Sequence, residues 1–119
     1  MAQCAILIVE GEYLIRAHAA EVIDDAGYEV IEATNADQAI GVLESRTDIQ
    51  FVFADLHMPG PIDGLKLLHT IRGRWPLIHI IATGTGIQES DLPAETAFFP
   101  KPYKPESVAA TLHTLTAAQ

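Results

Sequence analysis

Three nearly unbroken apolar runs constrain this chain most: CAILIV at 4–9, IQFVFA at 49–54 and LIHIIA at 77–82. Each is strand-length and lacks the strict alternation of a half-wet sheet, so each suits a strand covered on both faces. That arrangement belongs to a parallel sheet with helices above and below. Each run also ends at a residue with chemistry to offer: Glu10, Asp55 and Thr83.

Between the runs the periodicity changes to helical, which predicts successive βα units and about five strands. Ile15, Ala19, Val22, Ile23 and Ala26 recur at helical spacing over 12–26, and Gly27 supplies a left-handed stop. Residues 28–33 carry Glu29 and Glu32 among strand formers and predict an edge strand with one wetter face. Asn35 followed by Gln38 resembles a capping box, opening a second helix that ends near Ser45. The segment DLHMPGPIDG at 55–64 holds two prolines and two glycines and predicts a loop. Asp63 then caps a helix with Leu65, Leu68 and Ile71 inward, closed by Trp75 and Pro76. Gly84, Gly86 and Pro93 leave room only for a turn or two of helix within 87–92. A short strand at 97–99 leads to Pro105, the first residue of a last helix carrying Val108, Leu112 and Leu115.

A length of 119 residues predicts one domain spanning 1–119, and 49% hydrophobic with 19% charged residues suits a soluble globular protein. No apolar run reaches the roughly 18 residues of a membrane span. The N-terminus lacks a signal peptide's basic flank, so a cytoplasmic protein with no membrane partner is expected. The net charge is −9 and the seven bases are scattered, which argues against direct nucleic-acid binding. The lone Cys4 is expected to be a small buried hydrophobe, and the five histidines lack the spacing of zinc ligands.

In an open parallel sheet, ligands bind beyond the carboxyl ends of the strands where the strand order reverses. Glu10, Asp55, Thr83 and Lys101 follow the first, third, fourth and fifth strands, so one fold gathers them around one crevice. Carboxylates with a backbone carbonyl suit a hard divalent cation such as Mg²⁺. A hydroxyl and an ammonium beside them suit a phosphoryl group, for which Asp55 is the candidate nucleophile. Glu12 has a plainer role open to it, as an acid at a helix start. Thr85 competes with Thr83 for the hydroxyl role, and Phe98 has a plainer role open to it, in the core.

At these residues the chain resembles the receiver domains of two-component response regulators (CheY-like). The matching segments are VEGE at 9–12, FADLHMPG at 53–60, Asp63 with Gly64, ATG at 82–84 and PKPY at 100–103. The resemblance implies a flavodoxin-like (βα)5 fold, a five-stranded parallel sheet of order 2-1-3-4-5, with the fourth helix short or absent. It implies a phosphoprotein rather than an enzyme acting on other molecules, at most capable of self-phosphotransfer and autodephosphorylation. Asp55 would accept phosphate in a Mg²⁺-dependent step from a sensor histidine kinase or a histidine phosphotransfer protein. Glu10, Asp55 and the main-chain carbonyl of His57 would hold the cation, with Glu12 as a further candidate. Lys101 and Thr83 would bind the phosphoryl group, Thr83 and Phe98 would form the switch, and the Lys101–Pro102 bond would be cis. His57 stands where a side chain tunes phosphate hydrolysis.

Three departures stand out. Gly11 occupies the place of a direct metal-contacting acid, so a weaker hold on Mg²⁺ is expected. The segment 58–64 is one residue longer than usual, and the link from the fourth strand to the fifth is abbreviated. With nothing beyond the last helix and a Met1 at the start, the expectation is a stand-alone receiver whose output is contact with a downstream protein target, within a phosphorelay. The alternatives are a degenerate receiver acting as a phosphorylation-independent binding module, or the receiver of a hybrid histidine kinase.

Overall fold

The structure, a computed structural model, describes residues 4–57 and 63–117. The predicted alternation is present: β1 (Ala5–Val9), α1 (Tyr13–Asp25), β2 (Glu29–Ala33), α2 (Ala36–Ser45), β3 (Ile49–Asp55), α3 (Gly64–Arg74), β4 (His79–Gly84), β5 (Thr96–Pro100) and α4 (Pro105–Ala117). The strands form one sheet of order β2-β1-β3-β4-β5, every neighbouring pair parallel. This is the flavodoxin-like receiver fold, and the stretch between β4 and β5 holds only a three-residue 3-10 turn at Glu89–Asp91.

Strand alternation divides β1 between two cores. Ala5, Leu7 and Val9 face α2 and α3, where Ala39, Leu43, Leu67, Leu68 and Ile71 meet them. Ile6 and Ile8 face α1 and α4, against Ala19, Ile23, Val108 and Leu112. Burial on both faces explains why this strand is apolar throughout, whereas β2 lies at the sheet edge with Glu29 and Glu32 exposed.

The helix boundaries have local causes. Gly27 takes φ +104° just after α1, a conformation that costs glycine little, and its N–H donates to the Asp24 carbonyl. Asn35 Oδ1 accepts from the Gln38 N–H, while Gln38 Oε1 reaches one residue further back than a capping box requires, accepting from the N–H and hydroxyl of Thr34. Asp63 Oδ1 caps α3 through the Lys66 N–H. Pro105 opens α4 as predicted.

Some boundaries and faces differ from the sequence expectation. The fourth strand starts at His79, two residues late, because Leu77 lies outside the sheet at 92% exposure. In α3 the buried set is Leu67, Leu68 and Ile71, with Leu65 only half buried. Cys4 precedes β1 and is half buried, packed against the α1/α4 core. The longer loop expected at 58–64 lies largely outside the described residues.

The short link is held down from α3. Arg72 Nη1 donates to the Ile78 carbonyl at 2.8 Å and to that of Pro76 at 3.2 Å, and its Nε donates to the Ala94 carbonyl at 3.1 Å. His69 Nε2 lies 2.8 Å from the Asp91 carbonyl. One guanidinium thus ties together the approaches to β4 and β5.

Candidate functional site

The strand order reverses between β1 and β3, and the residues at those two strand ends are Glu10 and Asp55. Both are buried, at 5% and 4% exposure, unusual for carboxylates without cause. Thr83 pairs with Asp55 in the β3/β4 register and is also buried. Lys101 follows β5 and extends its ammonium to Asp55 Oδ2 at 2.8 Å. The structure therefore brings together the four residues that the strand ends predict.

Asp55 is held at both oxygens, Oδ1 accepting from the His57 N–H at 2.9 Å and Oδ2 from Lys101. Glu10 is held at one: Oε2 accepts from the Glu12 N–H at 2.9 Å, and Oε1 has no partner. The Thr83 hydroxyl is likewise without a partner. Two buried polar atoms without partners are costly, and both lie in this one crevice. Burial pushes the Glu10 carboxyl up to about 7; the Glu12 N–H opposes this, the adjacent Asp55 adds to it and Lys101 offsets part. Tyr103, whose ring meets Phe53 edge-on, is pushed up to about 12 by burial and by the charges of Glu10 and Asp55.

The end of β4 is pinned around the crevice. Leu56 N–H donates to the Thr83 carbonyl at 2.8 Å, and Lys101 N–H to that of Gly84 at 3.1 Å. The His57 ring stretches to Thr85, its Nε2 lying 3.0 Å from both the N–H and the carbonyl. A Cβ on Gly84 would stand 3.1 Å from Ile87 and 3.3 Å from the Leu56 Cβ, so the ATG glycine leaves room for those two side chains. Gly64 has a stronger reason: its Cβ would come within 2.5 Å of the Leu56 Cα, so α3 approaches the exit of β3 by its backbone.

The Lys101–Pro102 peptide is cis. Thr85 is exposed, unlike Thr83. Phe98 is half buried against the α2/α3 core. Glu12 is exposed at the N-cap of α1 and makes no side-chain cap bond. Among the described residues no three His, Cys, Asp or Glu side chains come together to hold a metal. Glu10 and Asp55, with one carboxylate oxygen free, still offer the hard oxygen donors that a divalent cation takes.

Two features escaped the sequence reading. Arg16, counted there only as a scattered base, donates from Nη1 to the Glu10 carbonyl at 2.8 Å; a cation in a helix's first turn was the available signal. The other is an open groove of about 590 Å³ lined by Leu14, Ile15, His18, Lys101, Tyr103 and Pro105. It starts at Lys101, beside Asp55, and Leu14 on its wall is 79% exposed.

Residues 6–112 match the response regulator receiver domain family, to which the chain therefore belongs. It is 35% identical over 104 residues to the sporulation initiation phosphotransferase F of Bacillus subtilis, an alignment covering 82% of each chain. It is 37% identical over 92 residues to a putative response regulator NtrX-like of Rickettsia felis, covering 76% of this chain but only 19% of that protein. The chain thus spans about a fifth of the length of these NtrX-like relatives. Among solved structures, the receiver domain of the hybrid histidine kinase CckA shows 31% identity and a TM-score of 0.77, covering 92% of this chain and 96% of that one. A receiver protein from Sinorhizobium medicae shares the fold at a TM-score of 0.88 and 21% identity, covering 98% of this chain and 96% of that one. Receiver domains accept phosphoryl groups and act with histidine kinases or phosphotransfer proteins. Among the described residues no helix is long and apolar enough to cross a membrane.

Proposed function

We propose that this chain is a single receiver unit whose Asp55 accepts a phosphoryl group from a phosphohistidine on a sensor kinase or phosphotransfer protein. The observation that carries the proposal is the set of buried groups at one crevice: Asp55 on Lys101, with a free oxygen on Glu10 and a free hydroxyl on Thr83. An Asp55 carboxylate oxygen bonds to phosphorus as the phosphorus–nitrogen bond of the donor breaks, the electron pair leaving with the imidazole. Lys101 shifts from the carboxylate alone to the carboxylate and a phosphoryl oxygen, and the Thr83 hydroxyl donates to another. Glu10, Asp55 and the His57 carbonyl would hold Mg²⁺, which neutralises phosphoryl charge when bound. Thr83 and Phe98 carry the change to a downstream protein.

The groove from Leu14 to Pro105 suits a donor helix, because it is largely apolar and opens beside Lys101. The Bacillus subtilis relative is itself described as a phosphotransferase, which supports a relay role. The missing acid at Gly11 favours one rival reading, a binding module indifferent to phosphate.

Mg²⁺ with beryllium fluoride separates the two. The amides of Gly11, Asp55 and Thr83 are expected to shift in the parent and to stay still in Asp55→Asn. A parent that does not respond at millimolar Mg²⁺ supports the binding module instead.

A further inference from the structure

The first turn of α1 is an odd place for Arg16. A cation there opposes the helix dipole, and the turn contains no acid to offset it. The side chain is nonetheless only 12% exposed, so its position is fixed by contacts rather than by solvent. Its guanidinium lies over the Tyr13 ring, 5.7 Å from the centroid, and makes two hydrogen bonds. Nε donates to Glu32 Oε1 on β2 at 3.0 Å, and Nη1 donates to the main-chain carbonyl of Glu10 at 2.8 Å.

The second contact completes a pattern at Glu10. Its N–H donates to the Ala33 carbonyl at 3.0 Å, its carbonyl accepts from Arg16, and its Oε2 accepts from the Glu12 N–H. Only Oε1 is left over, buried and without a partner. A strap between α1 and β2 needs no more than the Arg16–Glu32 pair; the bond to the Glu10 carbonyl fixes the residue that carries the free oxygen. With glycine at 11, Glu10 is the buried carboxylate that joins Asp55, so its orientation matters to any ion held there.

We propose that Arg16 is a positioning residue for Glu10, holding its backbone so that the free carboxylate oxygen is set to receive a divalent cation. The inference rests on the phosphoacceptor reading above. Its sign distinguishes it from a purely electrostatic or structural role. Removing a nearby positive charge should, by Coulomb's law, tighten the binding of a cation. Losing the brace on Glu10 should weaken it.

Mg²⁺ titration by calorimetry on the full chain, with the Glu12 amide followed by NMR, decides between them. Arg16→Met and Arg16→Lys are both expected to weaken Mg²⁺ binding by about tenfold or more, the equivalent of one charge-assisted hydrogen bond. Lysine keeps the charge but cannot span both acceptors. Glu32→Gln, which leaves the Glu10 contact in place, is expected to change affinity by about twofold or less. Melting curves in chelator establish that each variant is folded. Unchanged or tighter Mg²⁺ binding in Arg16→Met overturns the positioning role while leaving the phosphoacceptor reading intact. A parent that binds no Mg²⁺ at all overturns both.

Discussion

Glu10 is a carboxylate placed where water cannot solvate it, 5% exposed at the tip of β1. Burial holds its carboxyl at about 7 in the folded protein, against 4.5 for the ordinary side chain. Between those two values the folded state binds a proton that the unfolded state has given up. Glu10's contribution to stability is therefore fully present below pH 4.5 and is lost as pH rises through 7. Urea unfolding of the metal-free protein between pH 4.5 and 8 should show a loss of about 1–3 kcal/mol from this group. Glu10→Gln, which keeps the shape and removes the charge, should flatten that slope. Parallel curves for parent and variant would assign the titration to another residue. Mg²⁺ favours the ionised carboxylate and should shift the same transition to lower pH.

Among the elements, the link between β4 and β5 packs Ile87 and Leu92 on the α2/α3 core, and Arg72 ties down its two ends. Its guanidinium engages carbonyls ahead of both strands, at Pro76, Ile78 and Ala94, in place of the packing that a helix there would give. Arg72→Met keeps much of the stem and leaves these carbonyls to water, at a cost of about 1–3 kcal/mol. Amide hydrogen exchange should show the lost protection around 91–97 rather than in β1 or β3; uniform loss across the sheet would contradict the local role. The sequence makes the missing helix legible, because Gly84, Gly86 and Pro93 leave room for no more than a turn or two. It does not reveal the anchor, since one side chain reaching main-chain carbonyls leaves no periodicity to detect. The swap of Leu65 for Leu67 on the buried face of α3 has a similar origin. Both leucines fit a helical stripe within a residue, and the close backbone approach of Gly64 to Leu56 decides the rotation.

At the scale of the whole molecule, the doubly covered sheet explains why the residues at the strand ends, Glu10, Asp55 and Thr83, meet at one crevice. Apolar runs mark the central strands, and whatever polar residue ends each of them must face the same crevice. Which oxygens are already occupied is a matter of angstroms, so neither the free Oε1 of Glu10 nor the brace from Arg16 follows from spacing. The chain carries a net charge of −9 and concentrates two of its buried acids at that crevice, so cation binding should stabilise the fold as a whole. Gly11→Asp tests how much the absent acid matters. A third carboxylate should lower the melting temperature in chelator, through repulsion with Glu10 and Asp55, and should tighten Mg²⁺ binding. At about ten times the dissociation constant, bound Mg²⁺ adds about 1.4 kcal/mol and raises the midpoint by several degrees. The variant and the parent should therefore change order between melts without Mg²⁺ and melts at a concentration that saturates only the variant. If calorimetry gives equal affinity for the two proteins, Glu10 and Asp55 with their waters already satisfy the ion, and the glycine at 11 costs the site nothing.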